Sequence, residues 1–212
     1  SEMALIPAQP SANPRVKKDM EAVASLDQDA ELMVRVREGD DVSFALLLER
    51  YRGPVVHFLF RMVQNPSVSE ELAQEVFLRV YRSRATYEPT ARFTTWLFRI
   101  ATHLALNWMR DGKKEKGQES LDEQAADGVD RQVRDRQPTI EQEMLYEAKM
   151  SEVRQAIEAL PAKQRAAVLM HKYEELEYAQ IAQALNCSES AVKSLLFRAY
   201  ESLRSRLAHM AG

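Results

Sequence analysis
The stretch RFTTWLFR, residues 92 to 99, sets two phenylalanines and a tryptophan between two arginines. Side chains of these types do no bond-making chemistry. Together they could hold an unstacked nucleic-acid base against an aromatic face while a cation sits on the adjoining phosphate. The same pattern also fits a buried hydrophobic helix whose ends are basic. A second cluster lies in residues 178 to 207, YAQIAQALNCSESAVKSLLFRAYESLRSRL. Tyr178, Ile181, Ala182 and Leu185 make one short apolar face, NCSES makes a tight turn, and Val192, Leu195, Leu196, Ala199 and Leu203 make a second face. This spacing predicts a helix-turn-helix, with Ser188 or Ser190 capping the second helix and Ser190, Lys193, Ser194 and Arg198 placed to reach base edges and phosphates in a major groove. A plain helical hairpin has the same spacing, but Lys193, Arg198, Arg204 and Arg206 face only Glu201, which favours DNA.

A third segment, SEELAQEVFLRVYRS at 69 to 83, puts Leu72, Val76, Phe77 and Val80 on one side and Glu70, Glu71, Gln74, Glu75 and Arg79 elsewhere. A solvated charged face is the ordinary reading of such residues. Nothing comparable supports catalysis. The four histidines (His57, His103, His171 and His209) are scattered, Cys187 is the only cysteine, and there is neither a Gly-rich phosphate loop nor an HExxH-type pair. No enzyme activity, metal or cofactor is expected, and Cys187 is read as a small buried packing residue of the turn.

The elements that must position these clusters follow from helical periodicity. Leu32, Val36, Phe44, Leu47, Leu48 and Tyr51 recur at helical spacing, with Gly39 and Asp40 marking a break, and a longer face continues through Val55, Val56, Phe58, Leu59 and Met62. NPS at 65 to 67 is expected to stop that helix, and the next to begin with serine and glutamates at its positive end. Residues 113 to 138 have almost no large apolar side chains and many charges of both signs, and read as a flexible tether. Beyond it the helical period returns, with Pro161 opening a further helix as a first-turn proline. No strand-like alternation persists. The expectation is an all-α chain of two small helical domains: a disordered or weakly helical lead at 1–28, a domain at 29–114, a linker at 115–138 and a second domain at 139–212.

Composition bounds the function. The lone cysteine excludes an internal disulfide framework and points to a reducing compartment, taken as cytoplasmic. No run reaches the eighteen or more apolar residues of a membrane span, and no secretory signal is evident, so no membrane insertion is expected. The net charge of −3 counts against a protein that grips DNA unaided, because such proteins carry a basic surplus to displace counterions from phosphate. If the chain reads DNA, it has help.

Taken in order, ELAQEVFLRVYR, RFTTWLFRIATHLALNWMR and LPAKQRAAVLMHKYEELEYAQIAQALNCSESAVKSLLFRAYESLR resemble regions 2.2, 2.3 to 2.4, and 4 of bacterial RNA polymerase sigma factors of the extracytoplasmic-function (ECF) group, the smallest members of the sigma-70 family. The resemblance covers roughly residues 29 to 208 and implies partners: core RNA polymerase, promoter DNA and, commonly, an inhibitory anti-sigma factor that wedges between or around the two domains. Glu71, Gln74 and Glu75, supported by Phe77 and Arg79, match the helix that docks on the clamp helices of the polymerase's largest subunit. Polymerase anchoring would also account for the acidic net charge. Thr86 to Phe93 match the loop that captures a flipped base of the minus-10 element, with Tyr87 beside its pocket. Arg92, Phe93, Trp96, Arg99, His103, Asn107 and Arg110, with Lys113 and Lys114, match the rest of the minus-10 surface, Phe93 and Trp96 being candidates for strand separation or for core. His103 stands where many members have Asn, which bears on the preferred base.

For minus-35 recognition the matching positions are Ser188, Ser190, Ala191, Lys193, Ser194, Phe197 and Arg198. Leu195 replaces a frequent basic residue, and Glu175 and Glu177 replace a frequent Gly and Ser; these two are expected to be tolerated surface changes. With no middle domain between the two regions, the linker is implied to thread the RNA-exit path. Two rivals make different predictions. An effector-responsive helix-turn-helix regulator would bind duplex DNA on its own, and a helical adaptor would bind protein only and bury the aromatic cluster.

Overall fold
In the computed structural model, the described residues are 28–115 and 139–210, and of residues 113–115 only the backbone. The lead, the linker and the side chains of Lys113 and Lys114 lie outside them. Eight α-helices and no strand occur among the described residues: α1 (28–37), α2 (Asp41–Val63), α3 (Pro66–Arg82), α4 (Phe93–Glu115), α5 (Ile140–Glu158), α6 (Ala162–Lys172), α7 (Tyr178–Leu185) and α8 (Glu189–Leu207). None is long and apolar enough to cross a membrane.

The breaks have local causes. Gly39 takes φ +99°, a conformation that costs glycine little, and Asp40 caps α2 by accepting from the amides of Val42 and Ser43 and from the Ser43 hydroxyl. Helix α2 then runs through Pro54, held by the burial of Val55, Phe58, Leu59 and Met62 on one side. It ends at Gln64 in the left-handed conformation, φ 58°. NPS does not merely stop a helix. Asn65 accepts from the Val68 amide at 3.1 Å and caps α3, and Pro66 occupies its first turn, where a missing N–H leaves nothing unmade. The first turn of α3 therefore holds no acidic residue, contrary to expectation. Pro161, expected inside the first turn of α6, is instead its N-cap.

Helices α2, α3 and α4 pack around Phe58, Phe98, Val76, Val80 and Leu97, with the Phe58 and Phe98 rings edge-on at 5.4 Å. Helix α1 is tied on by Asp29, which accepts from Arg50 and Tyr51. Helices α6, α7 and α8 pack around Leu169, Ile181, Val192 and Leu196. The two halves also pack on each other. Helix α4 lies against α6 and α7, α2 against α5 and α6, and the buried residues of both halves form one continuous core.

Glu174 is half-buried near this seam, beside Tyr173, whose ring lies 3.9 Å under the Arg61 guanidinium. Burial pushes the Glu174 carboxyl up to about 7, against the lowering pull of Arg61. Its neutral form is favoured in the folded chain, so folding binds protons and stability falls as pH rises from about 4.5, the ordinary value, through about 7. Glu174→Gln should therefore unfold at a higher temperature than the parent at pH 8, by an increment on the order of 1 kcal/mol after allowance for partial exposure. That advantage should shrink toward pH 4, as thermal melts at the two pH values would show.

Candidate nucleic-acid interface
Helix α3 divides cleanly by face. Ser69, Ala73, Val76, Phe77 and Val80 are buried, while Glu71, Gln74, Leu78 and Arg79 are exposed and Glu75 half-exposed. At 100° per residue the second set forms one stripe opposite the first. Phe77 belongs to the inner face, so it supports the helix and does not present itself to a partner. Arg79 Nε donates to Glu75 Oε1 at 3.0 Å, an i,i+4 pair that pre-orders both side chains. The sequence reading passed over Leu78. It is 46% exposed between Gln74 and Glu75, a large apolar side chain in the middle of a polar stripe. Its place one turn beyond Gln74 and Glu75 was the available signal.

The aromatic cluster of RFTTWLFR satisfies both sequence readings, each for different residues. Phe93, Leu97 and Phe98 are core, as is Tyr87, at 4% exposure, whereas Trp96 is only half-buried. Tyr87 and Trp96 rings lie 5.0 Å apart, Trp96 and Phe93 6.1 Å, and Phe93 and Tyr51 5.3 Å. Neither Phe93, at 1% exposure, nor Tyr87 offers a free face to a base. They are the platform that sets the tilt of Trp96. The Tyr87 carbonyl accepts from Arg37 at 2.8 Å, pinning the start of a loop whose tip, Glu88 to Thr90, is exposed.

Along α4, Trp96, Arg99, His103, Asn107 and Arg110 recur every three or four residues and share a face; Arg99, Asn107 and Arg110 are exposed, and Arg92 is half-buried at its start. The opposite side, Phe98, Ala101, Thr102 and Ala105, is buried. Burial, then the positive charges of Arg99 and Arg79, hold the His103 imidazole below its usual value. It is neutral at physiological pH, with one ring nitrogen to donate and one to accept.

The helix-turn-helix forms from α7 and α8. Asn186 takes the left-handed conformation, φ 53°, and the Cys187 amide donates to Ala182 O at 3.0 Å, closing the first helix. Ser188 Oγ, the capping candidate that is used, accepts from the Ala191 amide at 3.1 Å. Cys187 is exposed and not buried as expected, because the turn lies outside both apolar faces. Ser190, Lys193, Ser194, Phe197 and Arg198 form the outer stripe of α8, Ala191 flanks it half-buried, and Phe197 is 64% exposed. Leu195 lies on the inner side, packed against the core.

Comparison with known proteins decides the family. The Sigma-70 region 2 family matches residues 47–115, and the Sigma-70, region 4 family matches residues 150–203. The chain is 33% identical over 181 residues to the ECF RNA polymerase sigma-E factor of Haemophilus influenzae, covering 84% of this chain and 95% of that protein. This chain belongs to the ECF sigma factors. It is also 31% identical over 184 residues to the RNA polymerase sigma-H factor of Pseudomonas aeruginosa, covering 85% of this chain and 94% of that one. The fold is shared with the sigma factor RpoE from Bartonella quintana, solved in complex with the anti-sigma factor NepR, at TM-score 0.63 and 18% identity over 78% of this chain and 96% of that one. The ECF chain is thus an alternative sigma factor, a protein of transcription initiation.

Glu175, at the position where the resemblance implied a frequent glycine, has a backbone conformation that matters. It is exposed but sits at φ 53°, where an L-residue crowds its own carbonyl. Glu175→Gly should stabilise this sigma factor by about 0.5–1 kcal/mol once the greater unfolded freedom of glycine is set against the relieved strain; chemical denaturation would read it. Glu177 is less costly, since its backbone N–H donates to Gln180 Oε1 at 2.8 Å at the start of α7.

Proposed function
We propose that this sigma factor works through three surfaces, each borne on a helix whose opposite side is core. The stripe of Glu71, Gln74, Glu75, Leu78 and Arg79 docks on core RNA polymerase. The α4 face of Trp96, Arg99, His103, Asn107 and Arg110, with Arg92 and the 86–93 loop, holds the opened minus-10 strand. The outer stripe of α8, Ser190, Lys193, Ser194, Phe197 and Arg198, with Ser188 and Ala191 at its start, reads the minus-35 element. The domain bounds proposed at 29–114 and 139–212 separate the first two surfaces from the third. The observation that carries this reading is the half-exposed Trp96, set by buried Tyr87 and Phe93 beside exposed cations on α4.

Strand opening costs a few kcal/mol per unstacked step, and stacking on an aromatic face returns about 1–3 kcal/mol per base. Trp96 supplies the face, Arg99 and Arg110 the phosphate partners, and neutral His103 the polar edge. The protein acts in the cytoplasm, makes and breaks no covalent bond itself, and is held in check by an anti-sigma factor, as the Bartonella RpoE is found with one. A native-gel titration tests it: the chain should bind core polymerase tightly and free promoter duplex weakly. Tight duplex binding without polymerase would favour a conventional regulator.

A further inference from the structure
Helix α1 lies outside residues 47–115, which match the Sigma-70 region 2 family, and belongs to none of the three surfaces. We infer that α1 is part of the minus-10 reading apparatus. Its last residue, Arg37, is a positioning residue that fixes the entry of the base-capture loop and so sets how sharply bases are told apart. The inference rests on the function proposed for the 86–93 loop.

The loop is short and hangs between two buried rings. Tyr87 and Phe93 are core, and Glu88, Pro89 and Thr90 between them are exposed. Near neighbours shape its entry. Thr86 Oγ1 donates to Ser83 O at 3.0 Å, the Tyr87 amide to Arg84 O at 3.3 Å, and Arg84 Nη1 to Tyr81 O at 2.9 Å. Bonds of this range hold the shape of the turn but travel with it. Arg37 Nη1 donates to the Tyr87 carbonyl at 2.8 Å from 50 residues away, and so fixes the turn against a separate element. The guanidinium donor makes this a charge-assisted bond, roughly twice as strong as a neutral one. The planar peptide of that carbonyl includes the Glu88 nitrogen, so orienting the carbonyl orients the first step of the exposed tip.

A donor can fix the loop only if it is itself fixed. Helix α1 buries Met33 and Val36 completely, and at its start Asp29 accepts from Arg50 and Tyr51. The Tyr51 ring packs on Phe93 at 5.3 Å. The two ends of α1 thus reach the two ends of the loop: Arg37 directly at Tyr87, where it begins, and Asp29 through Tyr51 at Phe93, where it ends. Arg37 is exposed and adds nothing to the core of α1, so what it holds is the loop.

Base selection depends on that hold. A captured base makes its hydrogen bonds only when the groups that read it stand within about 0.5 Å of the productive geometry. A loop free to tilt offers that geometry for part of the time, and apparent affinity falls by that fraction. The favoured base loses most, because it alone uses the polar groups of the loop. A wrong base is held by stacking and phosphate contacts, which do not need them. Loss of Arg37 therefore flattens discrimination. A cation acting on phosphate alone would instead weaken every sequence alike.

The test uses full-length chain, core polymerase and the upstream fragment of the protein's own operon, varied one base at a time through the minus-10 element. Run-off transcription then gives, at the most selective position, the ratio of transcript from the best base to that from the worst. Arg37→Ala should lower this ratio about fivefold or more, and Arg37→Lys, which keeps a charged donor of similar reach, should restore it to within about twofold of the parent. Equal losses on every fragment, with the ratio unchanged, would make Arg37 a phosphate contact. An unchanged ratio with a lower melting temperature would make it a structural residue of α1. Either result overturns the inference and leaves the sigma reading intact. A parent chain that gives no transcript from any fragment would fail the sigma reading, and this inference with it.

Discussion

Glu75→Arg, made together with Leu78→Asp, is expected to weaken binding to core polymerase by at least about thirtyfold, a loss of 2 kcal/mol or more, while leaving the fold intact. The two effects separate because of where these residues sit. Glu75 makes a partly exposed i,i+4 pair with Arg79 and Leu78 is nearly half exposed, so neither supports the core. Losing the pair and placing two like charges four residues apart costs the helix only about 0.2–0.5 kcal/mol each. At an interface the same changes remove an apolar anchor from a polar rim and oppose the partner's charge. Native-gel titration against core polymerase reads the first effect, and thermal unfolding of the free chain reads the second. A large fall in melting temperature would mean that α3 is held by these residues, contrary to its burial pattern.

The second large effect separates two neighbouring aromatics. Phe93→Ala should cost about 3–5 kcal/mol of stability, because it empties a fully enclosed site between Tyr51 and Trp96. Trp96→Ala should cost less stability, since Trp96 is only half-buried, but about 1–3 kcal/mol of affinity for single-stranded minus-10 DNA held with polymerase, or roughly 5- to 150-fold. Denaturant unfolding and strand binding should thus rank the two substitutions in opposite orders. Equal losses in both measurements would make the cluster simply core.

These two predictions mark how far the sequence could be read. Helical period placed Val76, Phe77 and Val80 inside and Glu71 and Gln74 outside, because a surface helix must segregate its faces whatever it later binds. Ser188 was legible as one of two capping candidates, and Gly39 with Asp40 as a break, because such signals are local; that Asp40 itself caps α2 was not read. Tyr87 and Phe93 were not legible as buried: composition shows that aromatics gather at 92–99, but which ring turns inward depends on packing against residues such as Tyr51, about forty residues before Phe93 in the chain. The exposure of Cys187 depended on how the turn projects beyond two packed faces. The joining of the halves through Arg165 and Met62 had no local signal at all, since a carbonyl at a helix end carries no mark of its distant partner. Glu175 shows the converse: its substitution for glycine was visible, but the positive φ that makes it costly was not.

Run-off transcription is the most direct measurement. Core polymerase is supplied with a fragment containing the upstream region of the protein's own operon, with and without the chain. A defined new transcript should appear with the parent chain, and should disappear when Lys193 and Arg198 on α8, or Trp96 on α4, are replaced by alanine. If no transcript appears while the chain alone binds the same duplex tightly, the protein reads promoters as a conventional regulator and not as a sigma factor.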